Sequence, residues 1–330
     1  MSPAVVVRIL AGLAVVPFLL GAAAAPTGRE HIAFTFADPR IDEASALVAL
    51  PDGLFATTND SGDTGRVFVV DPSGRTVGVT RWGSARDVEA LALAPDGDVW
   101  VGDIGDNRSA RDTVRVAKVP VGRGDRTVAP TVYDLVYPDG AHDAETLLCD
   151  PGSGRLYVAS KGWLGGTLYA APARLSTAHP NRLRSVAPVL PIATDGAFFP
   201  DRRHVIVRGY VSADVYTWPA MTKVASFPLP SQPQGEGIGV AADGTVYASS
   251  EGLHSAVVTV PLPAAVRTAL TSTSPSSGPS PAPAAASPVT RPAQEQSAHE
   301  RTGRSWWPWA LGGLVGTAAV VVLLRSLRPR

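Results

Sequence analysis

Short apolar runs of about five residues recur through the middle of the chain, always in the same order. A strand is followed by Pro-Asp-Gly or an equivalent turn, then a second strand, a loop of glycine and polar residues, and a third strand that ends at proline. The turn stands at Pro51-Asp52-Gly53, Pro95-Asp96-Gly97, Pro151-Gly152, Pro200-Asp201 and Ala242-Asp243-Gly244, and the closing proline at Pro72, Pro120, Pro172, Pro219 and Pro261. Two independent columns of punctuation therefore predict five units. Fourth strands are expected at 76–80, 131–137, 185–190 and 223–229. The fifth unit has none of its own, and His31 to Phe36 has the pattern to supply it.

Six residues before the turn column stand Ser45, Glu89, Glu145, Thr194 and Glu236, spaced 44, 56, 49 and 42 residues apart. A period of roughly 40–50 residues with several strands per unit predicts an all-β, five-bladed β-propeller over 31–264, its ring closed by the N-terminal strand so that no sheet edge is left open.

The two ends follow different rules. Residues 1–25 hold one charge, Arg8, then an apolar run and the small-residue stretch Gly21 to Ala25, which predicts a secretory signal. Residues 306–324 carry no charge, close to the roughly 20 residues that span a bilayer as helix. Trp306, Trp307 and Trp309 stand where an aromatic belt belongs, and the tail 325–330 holds Arg325, Arg328 and Arg330 as a cytoplasmic stop. The segment 265–304 is rich in Ser, Pro and Ala and is expected to be a stalk. The expected protein is thus single-pass, with an extracellular propeller and one C-terminal membrane helix.

Charge adds an exclusion. Lys plus Arg and Asp plus Glu both number 29, a net charge of zero that argues against a nucleic-acid partner. A single cysteine, Cys149, excludes an internal disulfide. It lies on a strand beside Leu147 and Leu148 and is expected to be a buried small hydrophobe.

In a propeller the start of each innermost strand and the loop between strands two and three share one face. The column Ser45, Glu89, Glu145, Thr194 and Glu236 is therefore expected at the mouth of the central channel. Carboxylates gathered there repel one another unless a cation or protons neutralise them. Oxygen-only ligands suit calcium better than zinc or copper; the other outcome is a hydrated channel without metal. Asp87, Asp143 and Asp195 flank the column.

The loops around the mouth supply candidate ligand contacts: Asp60 and Asp63 in Asn59-Asp60-Ser61-Gly62-Asp63, then Asp103, Asp106 and Asn107 in Gly102-Asp103-Ile104-Gly105-Asp106-Asn107. Lys161 and Arg208 are candidate rim cations for a phosphate or carboxylate. Trp163 and Tyr210 are candidate stacking surfaces, and Glu251 completes the rim. The leading expectation is a ligand-binding or interaction module with an unknown extracellular ligand or protein partner. The alternative is a calcium-dependent phosphohydrolase or esterase in which His142, Asp103 or Asp106 activates water.

Asp87-Val88-Glu89-Ala90-Leu91, the Gly-Asp-Ile-Gly-Asp-Asn string from Gly102 to Asn107, Asp143-Ala144-Glu145-Thr146-Leu147, Lys161 and Gln234-Gly235-Glu236 resemble the secreted bacterial propellers related to the esterase-like-phytase and NHL-like groups, over residues 31–264. That resemblance implies architecture more than activity. More distantly, the order Ser45, Glu89, Glu145, Thr194, Glu236 is similar to the axial Ser and Glu ring of the calcium-dependent apyrases, five-bladed nucleotidases, with Thr194 in a serine's place. It implies an axial calcium, whereas the other apyrase motifs are not in this chain.

Overall fold

A computed structural model of the chain describes residues 31–60 and 62–272. The chain opens with β1 (Ile32–Thr35). The first blade then runs outward from the axis as β2 (Val48–Ala49), β3 (Phe55–Thr57), β4 (Gly65–Val70) and β5 (Thr76–Gly83). The second is β6 (Val88–Leu93), β7 (Val99–Asp103), β8 (Val114–Val119) and, after the two-residue β9 (Arg126–Thr127), β10 (Val132–Val136). The third is β11 (Ala144–Cys149), β12 (Leu156–Ser160), β13 (Gly166–Ala170) and, after β14 (Asn181–Arg182), β15 (Arg184–Val189). The fourth comprises β16 (Asp195–Phe198), β17 (His204–Arg208), β18 (Ser212–Thr217) and β19 (Lys223–Pro228). β20 (Gly235–Val240), β21 (Val246–Ser250) and β22 (Ala256–Val260) form the fifth, and β1 pairs antiparallel with β22 as its outer strand. The five-bladed ring with an N-terminal closing strand is therefore the observed fold.

Burial explains why the strands read as they do. Innermost β11 (AETLLC) is buried at every position, because neighbouring blades cover both of its faces. Outermost β15 (RSVAPV) is mostly exposed or half-buried. The innermost strands neighbour one another in the order β2, β6, β11, β16, β20 and back to β2. Five apolar clusters fill the spaces between blades, one per interface, from Val48 and Leu91 between the first and second to Phe55 and Val257 between the fifth and first. Residues 31–272 thus close their ring and fill each interface among themselves, which is what an independently folding unit requires.

Two features depart from the sequence expectation. β9, from the second blade's outer loop, pairs parallel with β5 of the first, and β14 likewise joins β10. These clips cap two outer edges and give the first two blades a fifth strand. The expected stalk also begins later than 265: Ala264–Thr271 form a helix, α1, whose Val266 is fully buried in the cluster between the fourth and fifth blades, with Leu270 packed against it. The expected signal, the rest of the stalk, the membrane helix and the tail lie outside the described residues. Among the described residues no helix is long and apolar enough to cross a membrane.

Candidate cation site at the propeller mouth

All five residues of the column are buried at the start of their innermost strands. The three glutamates share a local device. β6 and β7 slip register between Val88 and Ala90, β11 and β12 between Ala144 and Thr146, and β20 and β21 between Gly235 and Ile238. Glu89 and Glu145 are each the extra residue of a β-bulge, and Glu236 lies with Gly237 inside one, which frees the side chain from the pleat and re-aims it. Ser45 Oγ lies 2.7 Å from Glu89 Oε2 and 3.0 Å from the Glu89 carbonyl oxygen, and Thr194 Oγ1 donates to the Glu236 carbonyl at 2.9 Å. The two hydroxyls therefore brace the neighbouring glutamates.

The tightest grouping of acidic oxygens joins Glu89 to Asp60 and Asp87, which offer one oxygen each within 4.8 Å of one another. Calcium binds oxygens at roughly 2.3–2.6 Å, so small side-chain adjustments would let one ion reach all three. Asp87 Oδ1 is buried without a hydrogen-bond partner. The Gly-Asp-Ile-Gly-Asp-Asn loop forms the floor beside them, around Arg111. The Arg111 guanidinium pairs with Asp103 at 2.9 Å and donates to the Gly105 carbonyl at 2.7 Å, and its backbone N–H donates to Asp106 Oδ2 at 2.8 Å. Asp103 also accepts the backbone N–H of Asp87 at 3.1 Å, and Asp143 accepts that of Asp106 at 2.8 Å.

Gly105 permits this closeness. A Cβ there would stand 2.5 Å from the Asp87 carboxyl and 2.8 Å from Glu89 Cγ. Gly105→Ala is expected to push Asp87 out of the cluster and to weaken calcium binding roughly tenfold or more, measured by isothermal titration. Unchanged affinity would remove Asp87 from the site.

The mouth is electrostatically frustrated. Burial, then the charges of Asp60, Asp143 and Asp103, push Asp87 up to about 6 against the pull of Arg111. Burial followed by Glu145, Asp60 and Asp87 raises Glu89 well above the carboxylate range, against the Ser45 hydrogen bond. Burial also lifts Glu236 to about 7, with Lys161 and Gln234 opposing it. At the rim, burial and the charge of Asp60 raise Glu43 and Glu251. A divalent cation held by Asp60, Asp87 and Glu89 would offset the mutual repulsion of those three carboxylates.

The remaining candidates divide into rim groups and scaffold. Lys161 pairs with Glu145 and lies over the Tyr210 ring at 5.1 Å from its centroid. Burial works against the lysine's charge, but the Glu145 carboxylate outweighs it and raises the Lys161 pKa. Asp63 is held by Arg66 at 2.6 Å, and Asn107 is exposed. Trp163 is 85% exposed, too open for a packing role.

Arg208 corrects the expectation of a second rim cation. It is fully buried and donates to the carbonyls of Gly209, Gly237, Ser249 and Tyr210 and to the Gln232 side chain, at 2.9–3.3 Å. It locks the fourth blade to the fifth. His142 Nε2 lies 3.0 Å from both Asp139 Oδ1 and the Tyr169 hydroxyl, among the rings of Tyr137 and Tyr169. With Asp103 and Asp106 bound around Arg111, each proposed water-activating group is already engaged. Cys149 sits at the far end of β11, its thiol pushed up to about 12 by burial.

Arg111 and the loop tips Leu164, Val211 and Leu253 were missed by sequence reasoning. Arg111 lies four residues past Asn107, and nothing in that spacing marks it as the hub of the loop. The fold and mouth define a five-bladed β-propeller with an acidic axial opening. No family model and no curated protein sequence matches the chain.

Proposed function

We propose that this protein is a membrane-anchored, extracellular interaction module that binds its ligand at the propeller mouth around a calcium ion held by Asp60, Asp87 and Glu89. The observation that carries this proposal is the pairing, on one face, of a carboxylate cluster with exposed apolar side chains. Trp163 and Leu164, Val211 and Leu253 project from the loops between strands two and three of the third, fourth and fifth blades, with Leu164 fully exposed. Exposed apolar groups in one region mark contact surfaces. Beside them, Glu145 Oε2 and Glu236 Oε2 are buried without hydrogen-bond partners. The apolar stretches 1–25 and 306–324, which bracket the ring in sequence, support display outside the membrane. Hydrolysis is not advanced, because His142, Asp103 and Asp106 all serve other partners.

The full-length protein with a photo-cross-linking residue at Leu164 is expected to trap a discrete partner on the cell surface with calcium present and to lose it on chelation. The same residue at Val132, exposed on β10, is expected to trap none. Equal trapping at both positions, or trapping indifferent to calcium, would remove this function.

A further inference from the structure

At the other end of the axis the lower halves of the innermost strands line a second space, a half-open pocket of about 330 Å³. Ligand cavities run from roughly 300 to 1,000 Å³. Asp195 ties the ring together just above it, its Oδ2 accepting from Leu47 N at 3.1 Å and Ile238 N at 2.8 Å. The lining is apolar, with Leu93, Leu148, Phe198 and Val240 among its side chains. A concave, mainly apolar lining of this size suits an apolar ligand.

Arg202 is the one charged residue in that lining. Its exposed side chain has no hydrogen-bond or ion-pair partner among the described residues, although Asp201 beside it holds His204 at 2.6 Å. Its backbone is equally telling. In the first, second and fifth blades the corresponding turn position is Gly53, Gly97 or Gly244, at φ 71°, 89° and 86°. Arg202 takes the same left-handed conformation at φ 57°, which is unfavourable for a residue with a Cβ. Such strain is held where a side chain is needed in place.

We propose that this cavity binds a single-chain carboxylate, a fatty-acid-like amphiphile whose chain fills the apolar lining and whose head pairs with Arg202. The guanidinium fork matches a carboxylate in two parallel hydrogen bonds. None of the turn aspartates lines the space, so the head meets no opposing acid there.

Isothermal titration of residues 31–272 with decanoate, below its micelle-forming concentration, and with 1-decanol tests the proposal. Decanoate is expected to bind at least about tenfold tighter than the alcohol. Octanoate, two methylenes shorter, is expected to bind roughly 15-fold more weakly than decanoate. Arg202→Gln, an exposed change that leaves the core intact, is expected to reduce decanoate to the affinity of the alcohol, and Leu93→Trp to block both. The proposal is overturned if the wild type shows no decanoate binding, if acid and alcohol bind alike, or if Arg202→Gln with an unchanged melting temperature binds decanoate as before. Full binding by a folded Leu93→Trp variant overturns it too, by moving the ligand out of the cavity.

Discussion

Replacing Arg208 by methionine is expected to destabilise residues 31–272 by about 4 kcal/mol, measured by urea unfolding, the range that follows when several buried polar groups lose their partner together. The guanidinium fills a space between the fourth and fifth blades. Gly235 lies so close that a Cβ on it would come within 2.0 Å of Arg208 Nη2. Methionine keeps the length and apolar stem of the side chain, so the loss reports the hydrogen bonds to Gly209, Gly237, Ser249, Tyr210 and Gln232 together with the charge that faces Glu236 and Asp195. Arg208→Lys is expected to recover little, because an ammonium on a flexible stem cannot address carbonyls spread across a plane. A loss below about 1 kcal/mol, the worth of one ordinary hydrogen bond, would show that the blades hold together without this lock.

The same residue shows what a single sequence reveals and what it hides. Turn and proline columns made the blade count legible, because Pro-Asp-Gly turns and strand-ending prolines are local chemistry that needs no partner. The closing strand was legible for a related reason: an apolar stretch at 31–36 had no other sheet to join, and it pairs with β22 over Ile32–Thr35. Arg208 could be placed near the mouth from its position at the end of a second strand. Its depth could not, since that depends on the close approach of Gly235 from the next blade.

Other misses have the same origin. The bulges that turn Glu89, Glu145 and Glu236 are one-residue slips in pairing, and alternation alone does not reveal a slip. β9 and β14 are two residues long and carry no period. The helix α1 was readable in principle: Val266 and Leu270 are four apart, the spacing of one helical face, but the surrounding Ala, Ser and Pro obscured it. The acidic grouping at the mouth was partly legible. Glu89 belongs to the tightest acidic grouping, while the partners beside it, Asp60 and Asp87, come from a loop and a flanking position.

In the absence of divalent cations, the stability of residues 31–272 is expected to fall as pH rises from about 4.5 to about 8, and calcium is expected to restore it only in the upper part of that range. The sign follows from proton binding. A carboxyl whose folded pKa lies above its unfolded value keeps its proton longer in the folded state, so the fold binds more protons between the two values. Its stabilising share is complete below the unfolded pKa and is lost as pH climbs through the folded one. Glu236 spans 4.5 to about 7, an effect on the order of 3 kcal/mol for that group. Asp87, pushed to about 6, and Glu89, raised further by burial, act in the same direction. Asp71 works oppositely: hydrogen bonds from Ser73 hold it down to about 2, so its contribution is lost only as pH falls below the ordinary aspartate value of 3.8. The two windows do not overlap, and the metal-free ring is expected to be most stable near pH 4–5.

At the proposed site calcium is expected to compete with the protons. At pH 4.5 the mouth already holds them, and millimolar calcium is expected to leave the melting temperature unchanged. At pH 8 the ion is expected to take their place, and a concentration 100-fold above its dissociation constant would add about 2.7 kcal/mol. The melting temperature should then rise on calcium addition and return on chelation. A flat metal-free profile between pH 4.5 and 8 would mean that the glutamates are solvated and ionised throughout. A calcium shift of the same size at both ends would mean that the ion binds away from Asp87 and Glu89, since a site built on those two carboxyls must give up protons to accept it.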